Sequence, residues 1–283
     1  MTTLAIAAPR RRLPPILLLG ATVLTLIVAL ALIGIWYTPF DPTTFAVRVR
    51  LTPPSALHLF GTDEFGRDVL SRVLAGAHLS LAIGFGAMLI SLIFGVPLGM
   101  LAAFHRGASE EIIMRSVDLL ISLPPILLGL LILAVTPPNT LKTILAVGLV
   151  YIPILVRLSR AVALALLQED FAQAAFARGE SAVSILWHEI LPNAWPPIIV
   201  ECGLRVTFAI LLGSALSFLG LGPQPPSSEW GLMIAESRTF LVQAPWIGLA
   251  PGLCLCVLLV SVNLVGEGLR EVLDPHLRGR AHG

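Results

Sequence analysis

The chain has 283 residues, of which 56% are apolar and 12% charged, with a formal net charge of +1. A soluble globular domain carries about 25% charged residues, so this is a membrane composition, and the scattered basic residues exclude a nucleic-acid footprint. The three cysteines, Cys202, Cys254 and Cys256, lie in apolar runs without a CxxC pair and read as small core residues.

In chain order, Arg10, Arg11 and Arg12 precede a charge-free run from Leu13 to Phe40. That run exceeds a signal h-region of about 7–15 residues, so it is predicted to stay attached as a membrane helix. A spanning helix needs about 20 mostly apolar residues, because lipid cannot satisfy backbone hydrogen bonds. Six segments qualify: Ile16 to Tyr37, Leu79 to Phe104, Ile112 to Thr136, Leu141 to Val162, Pro196 to Leu221 and Trp246 to Gly266. One all-α membrane domain follows, divided into a tail at 1–14, a first helix with an outer loop at 15–77, a five-helix core at 78–270 and a tail at 271–283.

Arginine concentrates on one side of this arrangement, at Arg10 to Arg12, Arg106, Arg115, Arg157, Arg160, Arg178, Arg270, Arg278 and Arg280. The opposite side has Arg48, Arg50, Arg67, Arg72, Lys142 and Arg238. Positive loops stay inside, so both termini are predicted to be cytoplasmic. Trp36, Tyr37 and Trp246 then fall at the outer interface, as an aromatic belt.

Two hydrophilic stretches are too long to be turns, an outer one at 38–77 and an inner one at 163–194. In the outer one, GTDEFGRD offers Gly61 and Gly66 for tight turns, and Asp63, Glu64, Arg67 and Asp68 for local pairing. It is either a structural cap or a substrate contact. The inner one reads as an alanine-rich helix from Asp170, a capping residue, to Arg178, with Gly179 as its stop. A second helix runs from Ser181 to Ile190 and ends before Pro192. Ala172, Ala175 and Gly179 form a small face that would let another protein approach closely; the alternative is a helix lying on lipid headgroups.

Charges inside a span are functional candidates. Glu201 and Arg205, four apart, form either a structural pair or part of a translocation path, and Arg115 with Asp118 is predicted to pair near the inner interface. The sequence contains no GxxxxGK[ST] phosphate loop, no HExxH and no zinc-spaced Cys and His set, so neither an ATPase nor a metal centre is predicted in this chain.

AQAAFARGES followed by HEILPN resembles the cytoplasmic EAA loop of binding-protein-dependent ABC importer permeases, with Gln173, Ala174, Ala175, Gly179, Leu191 and Pro192 on the pattern and His188 within it. Gln173 stands where the family usually has glutamate, so a salt bridge expected there becomes a neutral hydrogen bond. LTPPSALHLFGTDEFGRDVLSRVLAGAHLSL, SFLGLGPQPPSSEWGLMI and NLVGEGLREVLDPHLRG resemble, in order, segments of the dipeptide, oligopeptide and nickel branch of that family, in the C-type permease of the pair.

The resemblance implies a type I importer permease fold of about six helices in the bacterial inner membrane, with the inner loop docking an ATPase. It also implies a second homologous permease, two ATPase subunits that bind ATP and Mg, and an extracytoplasmic binding protein. The implied cargo is peptide, with nickel chelates, opines or glutathione as alternatives. Two other classes compete: an ion-coupled carrier using Glu201, Arg205 and Asp118, and an intramembrane hydrolase using Ser214 or Ser217, which lacks a nucleophile motif.

Overall fold

A computed structural model describes residues 13–105, 107–135 and 137–273. Both predicted tails therefore fall largely outside the described residues, as do Arg10 to Arg12, Arg106, Thr136, Arg278 and Arg280. The helices are α1 (Pro15–Trp36), α2 (Val69–Phe104), α3 (Ala108–Ile121), α4 (Pro125–Ala134), α5 (Thr140–Leu166), α6 (Asp170–Ala177), α7 (Ala182–Ser184), α8 (Leu191–Phe218), α9 (Trp230–Ser237) and α10 (Trp246–Leu273). A π-helical turn, Ile185–Ile190, joins α7 to α8, so that one helical path of 37 residues runs from Ala182 to Phe218.

Five of these helical segments are long and apolar enough to cross a bilayer: α1, α2, α5, the α7–α8 path and α10. The predicted third span is different. It is a bent pair, α3 and α4, whose axes meet at 93°. Pro124 and Pro125 cause the break, since a proline disfavours helical backbone in the residue before it and brings no N–H of its own. With 10 residues, α4 reaches about 15 Å, half the hydrocarbon thickness.

Close contacts set the helix directions. Gly95 of α2 lies against Ile152 and Leu155 of α5, and Gly99 against Val156 and Ser159, so these two helices run parallel. A Cβ on Gly99 would stand 2.4 Å from Val156 O, which leaves room only for glycine. Small residues let membrane helices approach in this way, and hydroxyls then bond across the seam. Ser91 Oγ donates to Gly148 O at 2.7 Å, and Ser159 Oγ lies 3.3 Å from Gly95 O. By the same reasoning α1 is antiparallel to α10, since Leu17 meets Gly268 while Gly20 meets Leu264.

Pro192 does not end the inner helix as the sequence reading expected. The inner helix continues through Pro192 into α8, and Pro196 and Pro197 also lie within α8. The wider π turn precedes Pro192, and Asn193 Nδ2 donates to Glu189 O at 2.7 Å across it. α5 likewise runs through Pro153.

Two smaller expectations also change. Cys202 is buried, but Cys254 is half-buried and Cys256 exposed, so Cys256 is no core residue. Trp246 is half-buried and donates through Nε1 to Thr62 O at 3.1 Å, which makes it a strut for the outer loop. Trp36 and Tyr37 are exposed at the end of α1, as a belt requires.

Candidate functional site

The inner loop is built on α6. Its N-cap position is Glu169, without a side-chain cap bond, and Asp170 sits in the first turn, where a negative charge suits the helix N-terminus. At the other end Gly179 has φ of +77°, the left-handed conformation that favours glycine. Gly179 N donates to Phe176 O at 2.9 Å and Glu180 N to Ala175 O at 3.3 Å, which is the Schellman closure of a helix.

The small face points inward. Ala172 and Ala175 are completely buried, and α6 packs on the π-helical turn, whose Ile185 and Ile190 are also completely buried. The expectation that Ala172 and Ala175 present a free surface is therefore corrected: small residues here let α6 lie close to its own chain. Asp170, Gln173, Ala174, Phe176, Ala177, Arg178 and Gly179 are the exposed positions. Nothing lies within 4 Å of where a Gly179 Cβ would be.

Three contacts hold α6 in place. Gln173 Nε2 donates to Leu167 O at 2.8 Å, Phe176 stacks on Phe104 with centroids 5.8 Å apart, and Arg178 Nη2 donates to Glu180 at 2.6 Å and Glu189 at 3.2 Å. The Arg178 hydrogen bond draws the Glu180 carboxyl below its usual value, and Glu180 in turn raises the Arg178 guanidinium. His188 is exposed and its Nδ1 donates to Ser184 O at 3.1 Å; Leu191 is half-buried and Pro192 exposed.

Charges predicted to pair inside the spans are partly re-sorted. Arg205 Nε donates to Glu201 Oε1 at 2.5 Å, so this pair forms, beside a 440 Å³ cavity at the inner end that Glu201 lines with Asn193 and Arg270. Arg115 and Asp118 do not pair with each other. Arg115 bonds Glu111 at 2.9 Å and Asp118 accepts from Arg157 at 2.5 Å, because α3 lies along the inner end of α5, where Arg160 also meets Glu110.

The outer loop holds a buried charge cluster. Asp63 accepts from Arg67 Nε at 2.6 Å and from Arg72 Nη1 at 2.7 Å, and Arg72 Nη2 donates to Glu236 at 2.8 Å and to Ser227 O at 3.2 Å. Asp63, Arg67 and Arg72 are at most 2% exposed. Local pairing of Asp63 with Arg67 matches the sequence reading, whereas Asp68 instead caps α2, accepting from Ser71 N at 2.8 Å and from His58 Nδ1 at 2.9 Å. Burial pushes the Glu64 carboxyl above its usual value, assisted by the nearby Asp63 and Glu236 carboxylates.

Sequence reasoning missed Arg72, Glu229, Trp230 and Glu236 in this assembly. Glu229 is the N-cap of α9, accepting from Gly231 N and Leu232 N at 2.9 Å, and Trp230 Nε1 donates to Val73 O at 3.0 Å. Burial raises the Glu229 carboxyl, against the pull of those two N–H donors. Only the fold brings 63–72 and 227–236 together. The clustering of Ser227, Ser228 and Glu229 before Trp230 was the available hint of a helix start. Among the described residues no group of three His, Cys, Asp or Glu side chains could hold a metal ion.

Known proteins match this arrangement. Residues 95–279 fit the family described as "Binding-protein-dependent transport system inner membrane component". The di/tripeptide transport system permease protein DppC of Pseudomonas aeruginosa is 41% identical over 268 residues, covering 93% of this chain and 88% of that protein. The probable D,D-dipeptide transport system permease protein DdpC of Escherichia coli is 38% identical over 267 residues, covering 94% and 89%. Among solved structures, a chain of the inward-facing MetNI methionine ABC transporter superposes with a TM-score of 0.59 at 16% identity, covering 71% of this chain and 96% of that one, a likeness of fold. The fold is that of a type I ABC importer permease, a non-catalytic multi-pass subunit of the bacterial inner membrane that works with ATPase and binding-protein partners. This chain belongs to the binding-protein-dependent transport system inner membrane component family.

Proposed function

We propose that this chain is one of two homologous permeases in an ATP-driven importer of di- or oligopeptides, and that α6 docks one of two ATPase subunits. The observation that carries the cargo is the extent of the match, 41% identity to a di/tripeptide permease over 93% of the chain. The docking surface rests on the exposure of Gln173, Ala174, Phe176 and Ala177, between the Gly179 closure and the end of α5.

An extracytoplasmic binding protein delivers peptide to the outer loops, and the path lies between the two permeases. ATP and Mg are bound by the ATPase subunits, whose closure displaces α6 and switches the side to which the path opens. His188, Leu191 and Pro192 line the route from α6 into α8. The pair of Glu201 and Arg205 braces the inner end of α8 beside Arg270. Because the two charges neutralise each other at 2.5 Å, a proton or ion relay through them is disfavoured.

The test is uptake by proteoliposomes holding the complete complex. ATP inside and a loaded binding protein outside are expected to drive dipeptide accumulation, abolished when this chain is omitted. A relative from Pectobacterium atrosepticum, 37% identical over 89% of this chain, is a glutathione transport system permease protein. Accumulation of glutathione in place of dipeptides would move the cargo to that branch, and uptake driven by an ion gradient without ATP would overturn the proposal.

A further inference from the structure

We infer that Gln173 is a positioning residue that fastens α6 to the C-terminal end of α5. The inference rests on the reading of α6 as the ATPase-docking helix. Its geometry stands without that reading.

Leu167 is the C-cap of α5, and the last carbonyls of a helix lack intrahelical partners and carry the negative end of its dipole. Such a carbonyl needs a donor. Gln173 supplies one, Nε2 to Leu167 O at 2.8 Å. Glutamate has the same shape but is an acceptor only when ionised, so at neutral pH it would set oxygen against oxygen at the negative end of α5. The amide at 173 is thus a chemical requirement of this contact, where the family pattern would place an acid.

The second fastening is Phe176 stacked on Phe104, the last residue of α2. α2 and α5 are themselves locked by Ser91 Oγ to Gly148 O and by the glycine seam at Gly95 and Gly99. A push on α6 is therefore delivered to two helices that move as one.

The connection toward α8 differs in kind. It consists of Gly179, the three residues of α7, the π turn and a stretch bearing Pro192, Pro196 and Pro197. Prolines there remove backbone donors, and α6 is held to the π turn by packing, through the buried Ala172, Ala175, Ile185 and Ile190, and by the exposed Arg178–Glu189 pair.

Hydrogen exchange on the assembled, nucleotide-free complex tests this without any substrate, so it can fail or succeed independently of the peptide assignment. Q173E is expected to speed exchange of the amides in 170–177 about two- to tenfold, the range that one net hydrogen bond supports. Q173K, whose ammonium can donate to the same carbonyl, is expected to exchange near the parent rate. Parent-like exchange in Q173E, or equal acceleration in Q173E and Q173K, would overturn the inference. Should the Q173E complex fail to assemble, Q173A removes the donor without adding charge. Accelerated exchange in Q173A supports the clamp, and parent-like exchange overturns it.

Discussion

At the outer face, the buried Asp63, Arg67 and Arg72 pair with one another and with the half-buried Glu236, joining the start of α2 to the end of α9 across 164 residues of sequence. At the inner face, Arg178, Glu180 and Glu189 pair among themselves within 11 residues and in contact with solvent. The residue types are the same, and the energetics differ. A buried pair loses its hydration and stays only while every partner is present, so one deletion leaves an uncompensated charge. A solvated pair contributes little to stability and can exchange partners. The outer face is thereby committed to one arrangement, while the inner face keeps charges free to meet another protein. A permease that receives its cargo on one side and its energy on the other fits this division.

The largest effect should come from breaking the outer cluster. Arg72→Met removes the donor shared by Asp63, Glu236 and Ser227 O, and should cost about 3–5 kcal/mol, read as a lower unfolding midpoint in detergent. An unchanged midpoint would mean that the cluster does not hold the two outer segments together. The equivalent change at the inner face, Arg178→Ala, should leave the midpoint where it was.

An intermediate effect is expected at Glu201 and Arg205, half-buried at the inner end of α8. Glu201→Gln or Arg205→Met alone should each cost about 1 kcal/mol or more in stability, and the double substitution should cost less than the sum. Additive losses would argue against pairing and return both residues to the path.

The smallest effect concerns pH. Burial raises the Glu64 carboxyl, so the folded chain holds a proton there at pH values where the unfolded chain has released it. Stability from this group is therefore lost as pH rises from the ordinary glutamate value through the raised one. Glu64→Gln should flatten that slope in unfolding midpoints followed against pH. A slope unchanged by the substitution would assign it to another group.

Much of this was readable in advance, for definable reasons. Long apolar runs identify spans because lipid demands internal backbone bonding, and Gly179 was legible because a helix stop needs a left-handed residue. Prolines at two places were misread in opposite directions. Pro124 and Pro125 broke a run that hydropathy treats as continuous, while Pro192 was absorbed by the π turn ahead of it. Hydropathy is blind to both. Arg72 and Glu236 could not be joined from sequence, since neither has a local signal for the other, and the inward turn of Ala172 and Ala175 depends on a neighbour, Ile185–Ile190, that only the fold supplies.

The central claim is that the exposed face of α6 is where the ATPase engages. A photo-crosslinking amino acid placed at Ala174 or Ala177 in the assembled complex tests it, with Val242, fully exposed at the outer face, as the comparison site. Adducts to the ATPase from Ala174 and Ala177 and none from Val242 are predicted. No ATPase adduct from α6, or equal yields from both faces, would contradict the account.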